Sequence, residues 1–188
     1  MMRGERGGMI ILAVMVVVTI VYAAVTFRNF RLSRQFYAGA WTSNIRPDVL
    51  YGFGTPKLIS NGGGRWVANA TPAQAAAYRM WRYATTQGGI VVVSFADDGH
   101  VARVSCTSET ASPFGCPGVL GVAMGDDEVA TWMRLGTPTR QRYVGDVKIL
   151  NYDDLGLELT MRQYIIHGIA LNDRATGGLG RYFRLLIP

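Results

Sequence analysis

Apolar and polar positions divide the 188-residue chain into two unlike parts. Met9 to Phe27 is a run of 19 residues without a charge. At about 1.5 Å per residue, a helix of that length reaches ~28 Å, close to the hydrocarbon thickness of a bilayer. The pattern predicts a transmembrane helix over 9–27, preceded by a tail at 1–8 and followed by a basic neck at 28–40. Thr19 and Thr26 can bond back to helix carbonyls, and Tyr22 suits an interface. A cleaved signal peptide with a small-residue site at Val21-Tyr22-Ala23 is the alternative. The run exceeds the roughly 7–15 residues of a signal h-region, and that site falls inside it, so an uncleaved anchor is expected. Cys106 is the first cysteine, so no lipobox follows the segment.

Beyond residue 40 the periods shorten and repeat. Gly54-Thr55-Pro56 recurs as Gly136-Thr137-Pro138, and each closes a short helical pattern, Arg46 to Phe53 and Glu128 to Leu135. Gly after the last helical residue supplies a C-cap, and Pro two residues later stops the helix. Asp126, Asp127 and Glu128 put negative charge at the start of the second helix. Strands follow in both halves: Ile90 to Phe95 and Val101 to Cys106 around an Asp97-Asp98-Gly99 turn, then Tyr143 to Tyr152, Leu155 to Met161 and Tyr164 to Leu171. Thr71-Pro72-Ala73-Gln74 carries a capping box and Pro at the first helical position, predicting a helix to about Ala84. The fold class expected is α+β: one N-terminal transmembrane helix, then two tandem helix-plus-antiparallel-sheet repeats at 41–106 and 121–188, joined by a linker at 107–120.

Composition narrows the chemistry. Hydrophobic residues make up 49% and charged residues only 17%, which excludes a disordered chain. Two cysteines and two histidines leave little for a metal site, and neither a metal nor a cofactor is expected. Seventeen of the 19 basic residues are arginine and the formal charge is +6, which suits phosphates and protein surfaces. The arginines are scattered along a chain expected to be tethered, so nucleic acid is not an expected partner.

Gly121-Val122-Ala123-Met124-Gly125-Asp126-Asp127-Glu128-Val129, then Leu135-Gly136-Thr137-Pro138 and on to Tyr152, resembles the SmpA/BamE-like domain. The tandem arrangement resembles that of the beta-lactamase inhibitor protein family. The resemblance covers residues 121–171 well and 45–106 weakly, and it implies a non-enzymatic binding module of the cell envelope. It places the body in the periplasm, anchored in the inner membrane. Arg28, Arg31, Arg34 and Arg46 after the apolar run argue for the opposite orientation by the positive-inside count. In an oxidising compartment Cys106 and Cys116, separated by a turn-forming Ser112-Pro113-Phe114-Gly115, are expected to form a disulfide; in a cytosolic body they stay thiols.

Arg28, Arg31 and Arg34 share one helical flank with Phe27 and Phe30 nearby, a charged membrane stop that can also contact anionic lipid headgroups or a partner. No nucleophile–base–orienter set is legible: His100 follows a hairpin turn, His167 lies in a β-rich run, Asp153-Asp154 reads as a turn, and Gly62–Gly64 and Gly177-Gly178 lack the Lys and Ser/Thr of a P-loop. The function expected is an accessory or assembly subunit binding the subunits of a larger integral membrane complex. The alternative is a tethered inhibitor or sensor of an extracytoplasmic enzyme, and a hydrolase trails both. The apolar end, Leu179 to Pro188, suits an added strand or a docking segment.

Overall fold

The computed structural model describes residues 14–20, 36–42, 44–108 and 115–173. The first of these segments is a helix, α1 (residues 14–20), in which the Thr19 hydroxyl donates to the Met15 carbonyl at 2.8 Å. Among the described residues no helix is long and apolar enough to cross a membrane, which overturns the expected transmembrane span and the single-pass inner-membrane placement built on it. The rest of the 9–27 run lies outside the described residues, as does the neck with Phe27, Arg28, Phe30, Arg31 and Arg34.

From residue 36 the chain is dominated by strands. A small hairpin, β1 (Phe36–Tyr37) and β2 (Ala40–Trp41), leads into α2 (Arg46–Phe53), β3 (Leu58–Ser60), β4 (Val67–Ala68), α3 (Pro72–Ala75), β5 (Met80–Ala84), β6 (Gly89–Phe95) and β7 (Val101–Ser108). After the crossing come α4 (Glu128–Leu135), β8 (Arg140–Val144), β9 (Val147–Tyr152), β10 (Leu157–Arg162) and β11 (Ile165–Asn172). β3 to β11 form one antiparallel sheet of nine strands in the order β4-β3-β5-β6-β7-β11-β10-β9-β8. Two tandem repeats, each with its own sheet, are therefore not what the chain builds. The joining pair is β7 with β11, where Cys106 faces Ile169 and Val104 faces Leu171. All four are at most 1% exposed, so leaving β7 and β11 as separate edges would put this apolar set, and two rows of unpaired backbone groups, into water.

The helix expected from Thr71 ends after one turn. Its capping box forms, with Gln74 N donating to Thr71 Oγ1 and Thr71 N donating to Gln74 Oε1. Beyond it, Trp81 and Tyr83 alternate with Met80, Arg82 and Ala84, a period of two that pairs with β6 and β3. The indole of Trp81, wholly buried, donates to the Ala75 carbonyl at 2.9 Å and packs its ring 4.5 Å from that of Phe95. Burying two large aromatics outweighs the modest helix propensity of the segment. The expected single strand from Tyr143 to Tyr152 is instead a hairpin, broken by a two-residue Gly145-Asp146 loop with Gly145 at φ 63°. The Asp97-Asp98-Gly99 turn closes β6 on β7 as expected.

The two Gly-Thr-Pro corners are built alike. Gly54 and Gly136 cap α2 and α4 at φ 75° and 78°, donating to the carbonyls of Leu50 and Trp132. Their own carbonyls then accept from tyrosines on the sheet: Tyr83 Oη on Gly54 at 3.3 Å and Tyr152 Oη on Gly136 at 3.2 Å. α2, α3 and α4 all contribute to the core on one face of the sheet, where Val49 and Ala75 join Trp81, Val91, Val93, Leu150, Leu159 and Ile169. Burial drives the pKa of both tyrosines upward, so their hydroxyls stay protonated donors through the physiological range.

Each corner bond holds a helix end to the sheet at a separate place. Tyr83→Phe and Tyr152→Phe are each expected to cost about 1 kcal/mol, and the double variant their sum, as measured by urea unfolding.

Candidate binding face

The side of the sheet opposite the core carries alternate residues that are mostly half-exposed or exposed. Cross-strand registers line them up: Arg140 beside Asn151, Glu158, Ala170, Ser105, Val92 and Arg82 in one row. The centre is floored by small residues, Gly168, Ala170, Ser105 and Thr160, and the strands supply Arg82, Arg103, Arg140, Arg142 and Arg162 around it against a single strand carboxylate, Glu158. Glu158 is 14% exposed and accepts from Arg103 at 2.7 Å, with Arg142 3.9 Å away. Arg103 also donates to Asn172 Oδ1 at 2.9 Å. Arg140 grips Asp153 with both Nε and Nη2, at 2.9 and 2.8 Å, and this bidentate bond raises the guanidinium's pKa above its ordinary value. Arg103, Arg140, Asn151 and Asn172, with the carboxylates Asp153, Glu158 and Asp173, line a depression of about 570 Å³. Planar, bidentate donors of this kind suit carboxylate groups on a partner.

On the core side, α4 is polar inward and apolar outward. Glu128 and Thr131 are 8% and 0% exposed, while Val129 and Met133 are 66% and 84% exposed. Thr131 tolerates burial because its hydroxyl donates to the Asp127 carbonyl at 2.8 Å. Glu128 accepts a short hydrogen bond from Lys148, whose ammonium lies 5.8 Å from the Trp132 ring centre and 5.6 Å from that of Tyr143. The Glu128 bond holds the Lys148 pKa above its ordinary value against the opposing effect of burial.

Of the residues singled out from sequence, Cys106 and Cys116 are joined in a disulfide with Cα atoms 5.8 Å apart. Asp127 caps α4 through Ala130 N at 2.7 Å, and Asp126 pairs with Arg134. His100 Nδ1 lies 3.4 Å from Asp98, while Asp97 pairs with Arg79. His167 is the extra residue of the β-bulge where Thr160 pairs with Gly168 and Met161 with Ile166. Among the described residues no cluster of three His, Cys, Asp or Glu could hold a metal ion. The lipid- or partner-binding set Phe27, Phe30, Arg28, Arg31 and Arg34 lies outside the described residues. Arg103, Arg140, Asn151, Glu158 and Asn172 were not legible as a group. The alternation along β10 marks Glu158 as solvent-facing, but which strands flank it depends on the β7–β11 pairing.

No family model matches the chain, and no curated protein matches its sequence. Solved structures similar to it include a DUF4309 family protein (YjgB) from Bacillus subtilis subsp. subtilis str. 168, at 19% identity and a TM-score of 0.45, covering 69% of this chain and 78% of that one. Another is an extracellular protein containing a SCP domain from Bacillus anthracis str. Ames, at 10% identity and a TM-score of 0.41, covering 70% of this chain but only 44% of that one.

The Glu128–Lys148 pair is nearly closed off, with side chains 10% and 12% exposed. Lys148→Met is expected to lower stability by about 3 kcal/mol by leaving Glu128 without its cation, whereas Glu128→Leu with Lys148→Met restores most of it. Because the folded pKa of Lys148 lies above the ordinary 10.5, the pair's contribution is complete below pH 10.5 and is lost as pH climbs through the folded value. The gap between wild type and Lys148→Met in urea melts should therefore close in strong alkali.

Proposed function

We propose that this protein is a non-catalytic binding module of an oxidising compartment, which grips an acidic protein surface with the open face of its sheet. The observation that carries the reading is the arginine-rimmed face itself: five strand arginines around a small-residue floor, with Glu158 as the one strand carboxylate. Turn aspartates 146 and 153 pair with Arg162 and Arg140 at the rim and leave the face net positive. The Cys106–Cys116 disulfide supports the compartment, since such bonds persist outside reducing cytosol. With both cysteines consumed, neither is available as a thiolate nucleophile. The resemblance of residues 121–171 to the SmpA/BamE-like domain, a family of binding modules, points the same way.

The test is a pull-down of the full chain, tagged at its carboxyl end and extracted in mild detergent, with captured proteins identified by mass spectrometry. A stoichiometric partner is expected, weakened several-fold when salt is raised to screen the arginines. Ser105→Trp, which plants a large side chain on the floor of the face, should abolish capture while leaving the circular dichroism spectrum unchanged. A chain that comes out alone, or a partner retained in full by Ser105→Trp, contradicts the reading.

A further inference from the structure

Among the described residues β8 ends the sheet, and all five of its residues are exposed. The two-residue Gly145-Asp146 loop closes on the Val144–Val147 pair, so hydrogen-bonded pairs to β9 fall at Val144, Arg142 and Arg140. The backbone N–H and C=O groups of Tyr143 and Gln141 consequently point away from β9, to the free edge. Beside that edge stands Trp132 of α4, 40% exposed, whose ring shares the Lys148 ammonium with that of Tyr143, itself 66% exposed. An edge strand flanked by exposed aromatics is a template for strand addition.

We propose that β8 pairs antiparallel with β8 of a second copy about a twofold axis at Tyr143. The opposite edge of the sheet, β4, has two residues and offers too little ladder for a head-to-tail match, which leaves the self-complementary pairing. Charge selects the register. Centring on Arg142 would set that arginine against its own copy across the axis. Centring on Tyr143 keeps every side chain on its proper face and sets Arg142 opposite Val144 of the second copy. It also brings Arg140 to Asp146 of the second copy and Tyr143 to its own symmetry mate. Trp132 of both copies then flanks the joint on the core side. The two open faces merge into one surface twice as wide. This pairing does not rest on the acidic-partner reading: its ladder is made by the β8 backbone and needs no acidic ligand, although Arg140 and Arg142 border both the edge and the face.

The test uses the full chain in mild detergent, with mass measured by light scattering. Twice the monomer mass is expected, falling to the monomer mass in Tyr143→Pro, which removes an outward N–H while sparing the ladder to β9. A nitroxide on Tyr143→Cys should show strong dipolar broadening, its mate lying within about 10 Å, roughly two strand spacings, whereas a label on Val67→Cys at the far edge should show none. A monomeric chain, a dimer undiminished in Tyr143→Pro, or an unbroadened spectrum at position 143 overturns the proposal.

Discussion

Between β7 and β11 the chain makes five cross-strand pairs, from Gly168 opposite Thr107 to Asn172 opposite Arg103, and every other strand takes its place outward from that seam. Its tightest point is Gly168. A Cβ there would lie 3.0 Å from Thr107 Cγ2 and 3.2 Å from the Thr160 Cβ, closer than side chains normally approach. The bulge at His167 sits one residue away and lets β11 keep Ile166 and Ile169 both on the core face. Arg103 then crosses the seam on the open side, tying β7 to Asn172 and Glu158. The disulfide pins Cys106, in the middle of β7, to Cys116 at the approach to the second half. Closing a loop of about ten residues contributes about 3 kcal/mol by restricting the unfolded chain.

A sheet joined in this way has one face for packing and one open to solvent. α2, α3 and α4 serve the first: α2 brings Val49, α3 brings Ala75, α4 brings Leu135, and the ring of Phe53 packs 4.9 Å from that of Tyr83. Because the core face is continuous across the seam, helical elements of both halves stabilise a single core. The other face is left to polar side chains, where small residues at the seam lower the floor between the arginines. Arginine is suited to this place. Its stem can lie along neighbouring strands while its planar head stays in water, ready for carboxylates.

Local chemistry was legible in the sequence wherever a few neighbouring residues settle the backbone. The glycine caps at Gly54 and Gly136, the capping box of Thr71 and Gln74, the cap at Asp127 and the Asp-Gly hairpin all appear where their residues predict them. The Gly145-Asp146 loop carries the same kind of signal, a Gly-Asp pair between two β-rich runs. β5 departs from the helix that the Thr71 cap predicts because burial of Trp81 and Tyr83 in a sheet is a non-local effect. The seam was out of reach for the same reason: β7 and β11 lie about sixty residues apart, and nothing in either strand names the other. The candidate face inherits that limit, since its residues are neighbours only once the seam exists. α4 misleads in a further way, for Val129, Trp132 and Met133 form a stripe that spacing alone would bury, yet they face out.

Native-state hydrogen exchange of the backbone amides of β6, β7, β10 and β11 tests the seam directly. If the two halves are one sheet, amides on both sides of the β7–β11 pairing open only with global unfolding and share one free energy of exchange. If β8 to β11 instead exchange together at a distinctly lower free energy than β6 and β7, the second half opens on its own and the seam does not govern the fold.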